Sequence, residues 1–134
     1  MKDKKIDQLV LQMENYLECW KQLSYYLEMA RNRKFGPEEE SQFLEIKSVL
    51  TQELELILSV IDAGAPSRED VHTLISSAPS IRFLSEMTEV SLGNLENQWH
   101  KIYIAWQSIL GQLKVQQQQE RSRSFLSSLF RRNR

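Results

Sequence analysis

The sequence predicts an all-α protein, folded as an antiparallel bundle of three long helices plus one short helix, with a protruding C-terminal helix. Two observations support this fold class. Apolar residues recur at steps of three and four over long stretches, which places them on one face of each helix and favours heptad-type packing. Only four glycines and three prolines interrupt 134 residues, a length that fits one domain.

The first helix is predicted by an apolar stripe that continues for about four heptads before Gly36-Pro37. Gly36 is suited to a left-handed cap at the end of this helix, and Pro37 to the first position of the next. The stripe consists of Ile6, Leu9, Met13, Tyr16, Trp20, Leu23, Leu27 and Ala30.

The second helix is predicted from about Pro37 to Ala63. Three glutamates directly after Pro37 complement the positive end of the helix dipole. The second half, LELILSVI, is apolar on more than one face, so we expect it to lie deeper in the core than the first half. The predicted seam is Phe43, Ile46, Leu50, Leu54, Ile57 and Ile61.

A short helix is predicted after the break at 64–67. Ser67 is suited to the N-cap, because Asp70 lies three residues later in a capping-box spacing. Pro79-Ser80 interrupts the pattern and ends the helix. The residues expected to face inward are Val71, Leu74, Ile75 and Ala78.

The last long helix is predicted from about Ser80 to Glu120, or about 60 Å at 1.5 Å per residue. Its step changes beside Gly93-Asn94, which leaves two interpretations. We favour one continuous helix with a stutter, since a single glycine costs only about 1 kcal/mol. The alternative is a break, with Asn94 capping a new helix. The seam after that point is Leu92, Leu95, Trp99, Ile102, Trp106, Ile109 and Leu113.

Charge divides the chain into two predicted regions. Residues 1–115 form the helical bundle and hold 12 Lys and Arg against 17 Asp and Glu, a net charge of −5. Residues 116–134 form a Gln- and Arg-rich extension with five Arg and one Glu, a net charge of +4. This asymmetry is typical of an interaction tail.

Several features predict a cytoplasmic location, with peripheral attachment to a membrane as the alternative. The single cysteine, Cys19, cannot form an internal disulfide. The first residues lack the apolar core of a signal peptide. The longest uncharged apolar-rich stretch, 102–113, is shorter than the roughly 20 residues that a membrane-spanning helix needs.

The candidate catalytic residues do not form a recognisable site. Two carboxylate and histidine pairs, Glu69 with His72 and Glu96 with His100, fall short of the ligand set of a helical metal centre. Cys19 has no neighbouring cation in sequence to lower its pKa, and no phosphate-binding glycine motif occurs. We therefore predict no enzyme activity, no cofactor and no metal. The acidic bundle makes nucleic acid an unfavourable partner.

The last residues, SFLSSLFRRNR, form an amphipathic basic segment when drawn as a helix. At about 100° per residue the four apolar side chains occupy an arc of about 140°, and the five arginines lie outside it. Taken alone, the segment gains about as much from burial as its ordering costs, so we expect it to order only against a partner. The predicted partner-binding residues are Phe125, Leu126, Leu129, Phe130, Arg121, Arg123, Arg131, Arg132 and Arg134.

Three partners fit this segment: the groove of another protein, an anionic membrane surface, and the chain's own bundle or a twin subunit. We predict an adaptor, scaffold or chaperone-like protein that docks through the segment on a protein partner. A peripheral membrane protein that binds anionic lipid through the same segment is the alternative. A homodimer is a further expectation.

Overall fold

The computed structural model describes residues 2–61 and 63–132, and it is all-α, with no strand among those residues. Side chains are described for 4–61 and 63–131. The helices within this range are α1 (Lys2–Asn32), α2 (Pro37–Leu58), α3 (Arg68–Ser76), α4 (Ile81–Ser85) and α5 (Glu89–Arg132).

Helix α1 occupies the centre of the fold, because α2, α4 and α5 all contact it. Helix α3 contacts α2 and α5. The apolar stripe of α1 is buried along almost its whole length, and only Leu9 is half-buried. This burial explains the length of α1, because the 3-4 spacing presents one continuous face to its neighbours.

Contacts between α1 and α5 follow reverse order along the chain. The start of α1 meets the late part of α5, where Asp7 accepts a hydrogen bond of 2.5 Å from the Gln117 amide. In the middle, the Trp99 indole N–H donates to the Trp20 carbonyl at 2.8 Å. The end of α1 meets the start of α5, where Arg31 forms ion pairs with glutamates 89 and 96.

Contacts between α1 and α2 also follow reverse order. The buried Tyr16 hydroxyl donates to the Leu50 carbonyl at 2.8 Å. Further along α1, the Tyr26 hydroxyl donates to Gln42 Oε1 at 3.2 Å. Two tyrosines therefore connect α1 to α2 by hydrogen bonds as well as by apolar contact.

The junction between α1 and α2 differs from the prediction at one residue. The left-handed residue that follows α1 is Arg33, with φ of 55°, and not Gly36. Gly36 is extended and is the N-cap of α2, where its N–H donates to Glu39 Oε1 at 2.7 Å. Pro37 takes the first helical position, as predicted. The glycine serves the start of the second helix and not the end of the first.

Helix α2 is shorter than predicted, and its second half holds three of its four buried residues, Leu50, Leu54 and Ile57. It ends at Leu58 instead of near residue 63. Leu56 and Val60 are exposed, although their sequence suggested burial on a second face. The second half is thus buried on one face only, because apolar content alone does not fix which faces find partners.

The segment before α5 contains a break that the favoured prediction of one continuous helix missed. Ser80 caps the short α4, since its hydroxyl accepts from the Phe83 N–H at 3.0 Å. Residues 86–88 are not helical, and Thr88 caps α5 by accepting from the Ser91 N–H at 3.1 Å. The chain does not break at Gly93-Asn94, which lies inside α5.

Helix α5 continues through the glutamine run to Arg132. The predicted boundary between 115 and 116 therefore does not coincide with the end of a helix. Extending an existing helix requires no new nucleus, which is the costly step for an isolated segment. This explains how the C-terminal residues adopt the helical conformation without packing on the body.

Candidate interaction surface on the C-terminal helix

The last turns of α5 extend past the residues that contact α1, and every described side chain from 121 to 131 is exposed. We call residues 121–132 the tail helix. Its four predicted apolar contact residues remain open to solvent, with exposed fractions of 64% for Phe125, 53% for Leu126, 41% for Leu129 and 71% for Phe130. Large apolar side chains grouped in this way on a surface are typical of an interaction site.

The arginines lie on the same tail helix. Arg121 is placed nearest the body, with its guanidinium 3.6 Å from Asp7 Oδ1 on α1. Arg123 and Arg131 are exposed. Arg132 is the last residue of α5 and its side chain is not described, and Arg134 lies outside the described residues. The structure thus places the described tail arginines and the four apolar residues on one continuous helix.

The exposed face of α5 carries a second series of positions at 3-4 spacing, which the sequence analysis did not identify. We call it the outer seam. Every one of its side chains is exposed, in contrast to the buried seam that α1 covers. It contains both small and large residues: Ile104, Ser108, Gly111, Val115, Gln118, Ser122, Phe125 and Leu129. The sequence contains this spacing, but the more apolar seam from Leu92 to Leu113, which we call the inner seam, is the one that the sequence analysis identified.

A shallow groove of about 390 Å³ runs beside the outer seam, between α1 and α5. On the α1 side it is lined by Glu14, Leu17 and Glu18. On the α5 side it is lined by residues that include Leu110 and Gly111. A Cβ added at Gly111 would meet nothing within 4 Å, so this part of α5 is open to the approach of another helix. The groove combines apolar residues with two carboxylates and two lysines, Lys21 and Lys114.

A larger groove of about 880 Å³ lies at the end of the molecule where α5 passes the start of α1. Its apolar lining includes Ile6, Leu9 and Leu113, and its rim is formed mainly by glutamines. Lys5 and Glu120 are its ionisable side chains among the described lining residues. Amide and alkyl groups, which offer surface for contact, form most of this lining.

The core contains titratable groups whose pKa values are shifted by burial. Burial raises the pKa of the Tyr16 hydroxyl far above its ordinary value. Burial, followed by the negative charges of Glu53 and Glu18, raises the pKa of the Cys19 thiol. A thiol shifted in this direction is less often ionised and so is a poor nucleophile.

Aromatic rings fill the centre of the core. Tyr16 packs edge-to-face against Trp106, with ring centroids 5.3 Å apart, and against Trp20 at 6.3 Å. The indole N–H groups of both tryptophans are buried and have no acceptor among the described residues. The aromatics therefore hold the body together by packing, while the exposed apolar residues of α5 are left for other contacts.

Within the described residues, no group of three or more His, Cys, Asp or Glu side chains is arranged to bind a metal ion. The two carboxylate and histidine pairs named in the sequence analysis, Glu69 with His72 and Glu96 with His100, form no such cluster. Over the same part of the chain, no helix has an apolar stretch long enough to cross a bilayer.

Comparison of the chain with known protein families, with curated proteins and with solved structures gives no match.

Proposed function

We propose that this chain is a non-enzymatic interaction protein, an adaptor, scaffold or chaperone-like protein, that docks on a protein partner through its tail helix. The observation that carries the proposal is the exposure of four large apolar side chains on that helix, Phe125, Leu126, Leu129 and Phe130. An amphipathic helix that fits into an apolar groove through such anchors is a common mode of recognition.

The body of the protein, in this proposal, is an antiparallel bundle of three long helices with heptad-type packing, on which the tail helix is displayed. The reverse order of the contacts from α1 to α2 and from α1 to α5 supports this arrangement. A rigid body that holds one end of α5 reduces the ordering that docking requires. Docking on a partner is then favoured by preorganisation.

The expected gain on docking is substantial. Burial of one Phe or Leu side chain contributes about 1.5 to 3 kcal/mol, so four contribute about 6 to 12 kcal/mol before the cost of association. The arginines lie beside the apolar residues and would pair with acidic groups around the partner's groove. Burial therefore supplies affinity, and the arginines supply orientation.

The proposal is tested by capture experiments with purified full-length protein. The double variant F125A/L129A should lose a partner that the unchanged chain captures, because it removes two anchors. The matched control is S127A/S128A, which alters the same helix outside the apolar arc and should retain capture. Equal capture by both variants would remove the basis of the proposal.

Attachment to anionic membranes is a second candidate, supported by the exposed Arg121, Arg123 and Arg131. Each basic residue near an anionic surface contributes about 1 kcal/mol. Flotation with vesicles of phosphatidylcholine and with vesicles containing phosphatidylserine distinguishes the two functions. Binding that requires phosphatidylserine and falls with salt would favour the membrane, and its absence would exclude this candidate.

A further inference from the structure

We propose that the protein partner of α5 is a second copy of this chain, bound along the outer seam as an antiparallel pair of α5 helices. This inference rests on the proposed function, which it deepens by identifying the partner. The paired length runs from Ile104 to Leu129, which is about 38 Å at 1.5 Å per residue. It includes part of the tail helix and part of α5 that lies against the body.

The spacing of the outer seam is the first reason. Alternating steps of four and three residues keep one face of a helix toward one partner helix over several turns. Helix α5 already uses its inner seam against α1, with residues such as Ile102 and Trp106 buried there. The outer seam has the same spacing but is exposed throughout, as expected of a seam whose partner is another chain.

The sizes of the seam residues are the second reason, and they favour antiparallel pairing. When the two-fold axis lies between Val115 and Gln118, these two residues face each other. Ile104 faces Leu129 of the second copy, Ser108 faces Phe125, and Gly111 faces Ser122. The small Ser108 leaves room for the Phe125 ring, and the small residues Gly111 and Ser122 allow the helices to approach closely.

Charge is the third reason. A parallel pair would place two extensions of +4 side by side, whereas an antiparallel pair places each extension along the −5 body of the other copy. In the antiparallel register, Arg121 of the second copy reaches the level of Gln112. That level adjoins the groove lined by Glu14 and Glu18 together with Lys21 and Lys114, so the charge argument rests on the net charges of extension and body.

The continuity of α5 excludes the simplest competing occupant, the chain's own body. The helix runs without a break from Glu89 to Arg132, so the tail helix cannot turn back onto the outer seam of its own chain. A second copy has an identical outer seam. One two-fold interface therefore covers the outer seams of both copies, since such an interface is self-complementary.

Sedimentation equilibrium of the full chain tests whether the pair forms. We expect a concentration-dependent dimer and at least a tenfold weaker dimer for V115E, which places one carboxylate from each copy near the centre of the seam. The matched control is L56E, an equally exposed leucine on α2 (60%, against 56% for Val115). It should dimerise like the unchanged chain. A chain that remains monomeric at about 100 µM, or equal loss in both variants, would overturn the inference.

Cysteine cross-linking tests the orientation. In a C19S background, the I104C chain mixed with the L129C chain should form a disulfide-linked dimer, because these positions face each other in the antiparallel register. Neither chain alone should cross-link, since identical residues then lie about 38 Å apart along the pair. Cross-linking of each chain with itself, and not of the mixture, would show a parallel pair and overturn the proposal.

Failure of this inference is separable from failure of the proposed function. A chain that is monomeric but captures another protein through Phe125 and Leu129 overturns the dimer and leaves the docking function supported. A chain that forms the antiparallel dimer supports the inference. Residue 115 lies outside the tail helix, so capture of other proteins by V115E then shows whether that capture depends on self-association.

Discussion

Tyr16 shows how much of this fold depends on single residues. Its ring packs between two tryptophans and its hydroxyl donates to the Leu50 carbonyl on α2. Sequence spacing predicted that Tyr16 lies on the buried stripe. The hydrogen bond to a backbone carbonyl 34 residues away could not be predicted, because no local pattern indicates which helical carbonyl on α2 lies beside Tyr16.

We predict that Y16F destabilises the protein by about 0.5 to 1.5 kcal/mol, since it removes this buried hydrogen bond to the Leu50 carbonyl. Urea unfolding followed by circular dichroism measures the change. The control is Y26F, whose partner Gln42 is a side-chain amide at 3.2 Å that can turn toward water. A loss for Y26F as large as that for Y16F would contradict the assigned role.

Alkaline pH should destabilise the protein through the same residue. Burial raises the pKa of Tyr16, so above about pH 10 the unfolded chain releases a proton that the folded chain retains. Stability is therefore full below pH 10 and falls as pH rises, by about 1.4 kcal/mol per pH unit for one tyrosine. Cys19 and Tyr26, whose pKa values burial also raises, add to this slope.

Urea unfolding between pH 8 and pH 11 measures this slope for the unchanged chain and for Y16F. We expect the unfolding free energy of Y16F to fall less steeply with pH, because the contribution of one titrating proton is removed. Equal slopes for the two proteins would show that Tyr16 ionises in the folded state at its ordinary pKa.

At the scale of elements, helix α5 contains a glycine, Gly93, at a position where a larger residue fits. A Cβ at Gly93 would meet nothing within 4 Å, so alanine fits without a clash. We predict that G93A stabilises the protein by about 0.5 to 1 kcal/mol, because alanine has less backbone entropy to lose in a helix. Thermal unfolding should show a higher Tm. Gly93 lies outside the outer seam, so the effect is independent of dimerisation.

The control for this variant is G64A, in the segment between α2 and α3. Gly64 has φ of 88°, a left-handed conformation that strains a residue with a side chain. We expect G64A to lower the Tm. If both substitutions change stability in the same direction, the helical role assigned to Gly93 is wrong.

The ends of the elements show where sequence reasoning succeeded and where it did not. Ser67 was predicted to cap α3, and its hydroxyl accepts from the Asp70 N–H at 3.0 Å. Capping depends on residues three apart, so it is visible locally. The break at 86–88 was missed because no glycine or proline marks it, and Thr88 caps α5 there. Tertiary contact of α4 with α1 decides that break.

At the scale of the whole molecule, the tail helix contributes little to the body. Deletion of residues 121–134 removes exposed side chains and the ion pair of Arg121 with Asp7, and surface ion pairs contribute about 0 to 1 kcal/mol. We predict that the truncated monomer unfolds within about 1 kcal/mol of the full chain. Differential scanning calorimetry at a concentration below the dimer range measures the change. A much larger loss would mean that the deleted residues pack on the body.

The sequence by itself determined that the protein is all-α and where most helices begin, because period, caps and proline act over a few residues. It also identified an amphipathic basic segment at 121–134. Only the tertiary structure decided that this segment continues α5, that Leu56 and Val60 lie at the surface, and that α5 has an exposed outer seam. The physical reason is that a periodic apolar face shows which side chains burial would stabilise, while the arrangement of the other helices decides which of those side chains are buried.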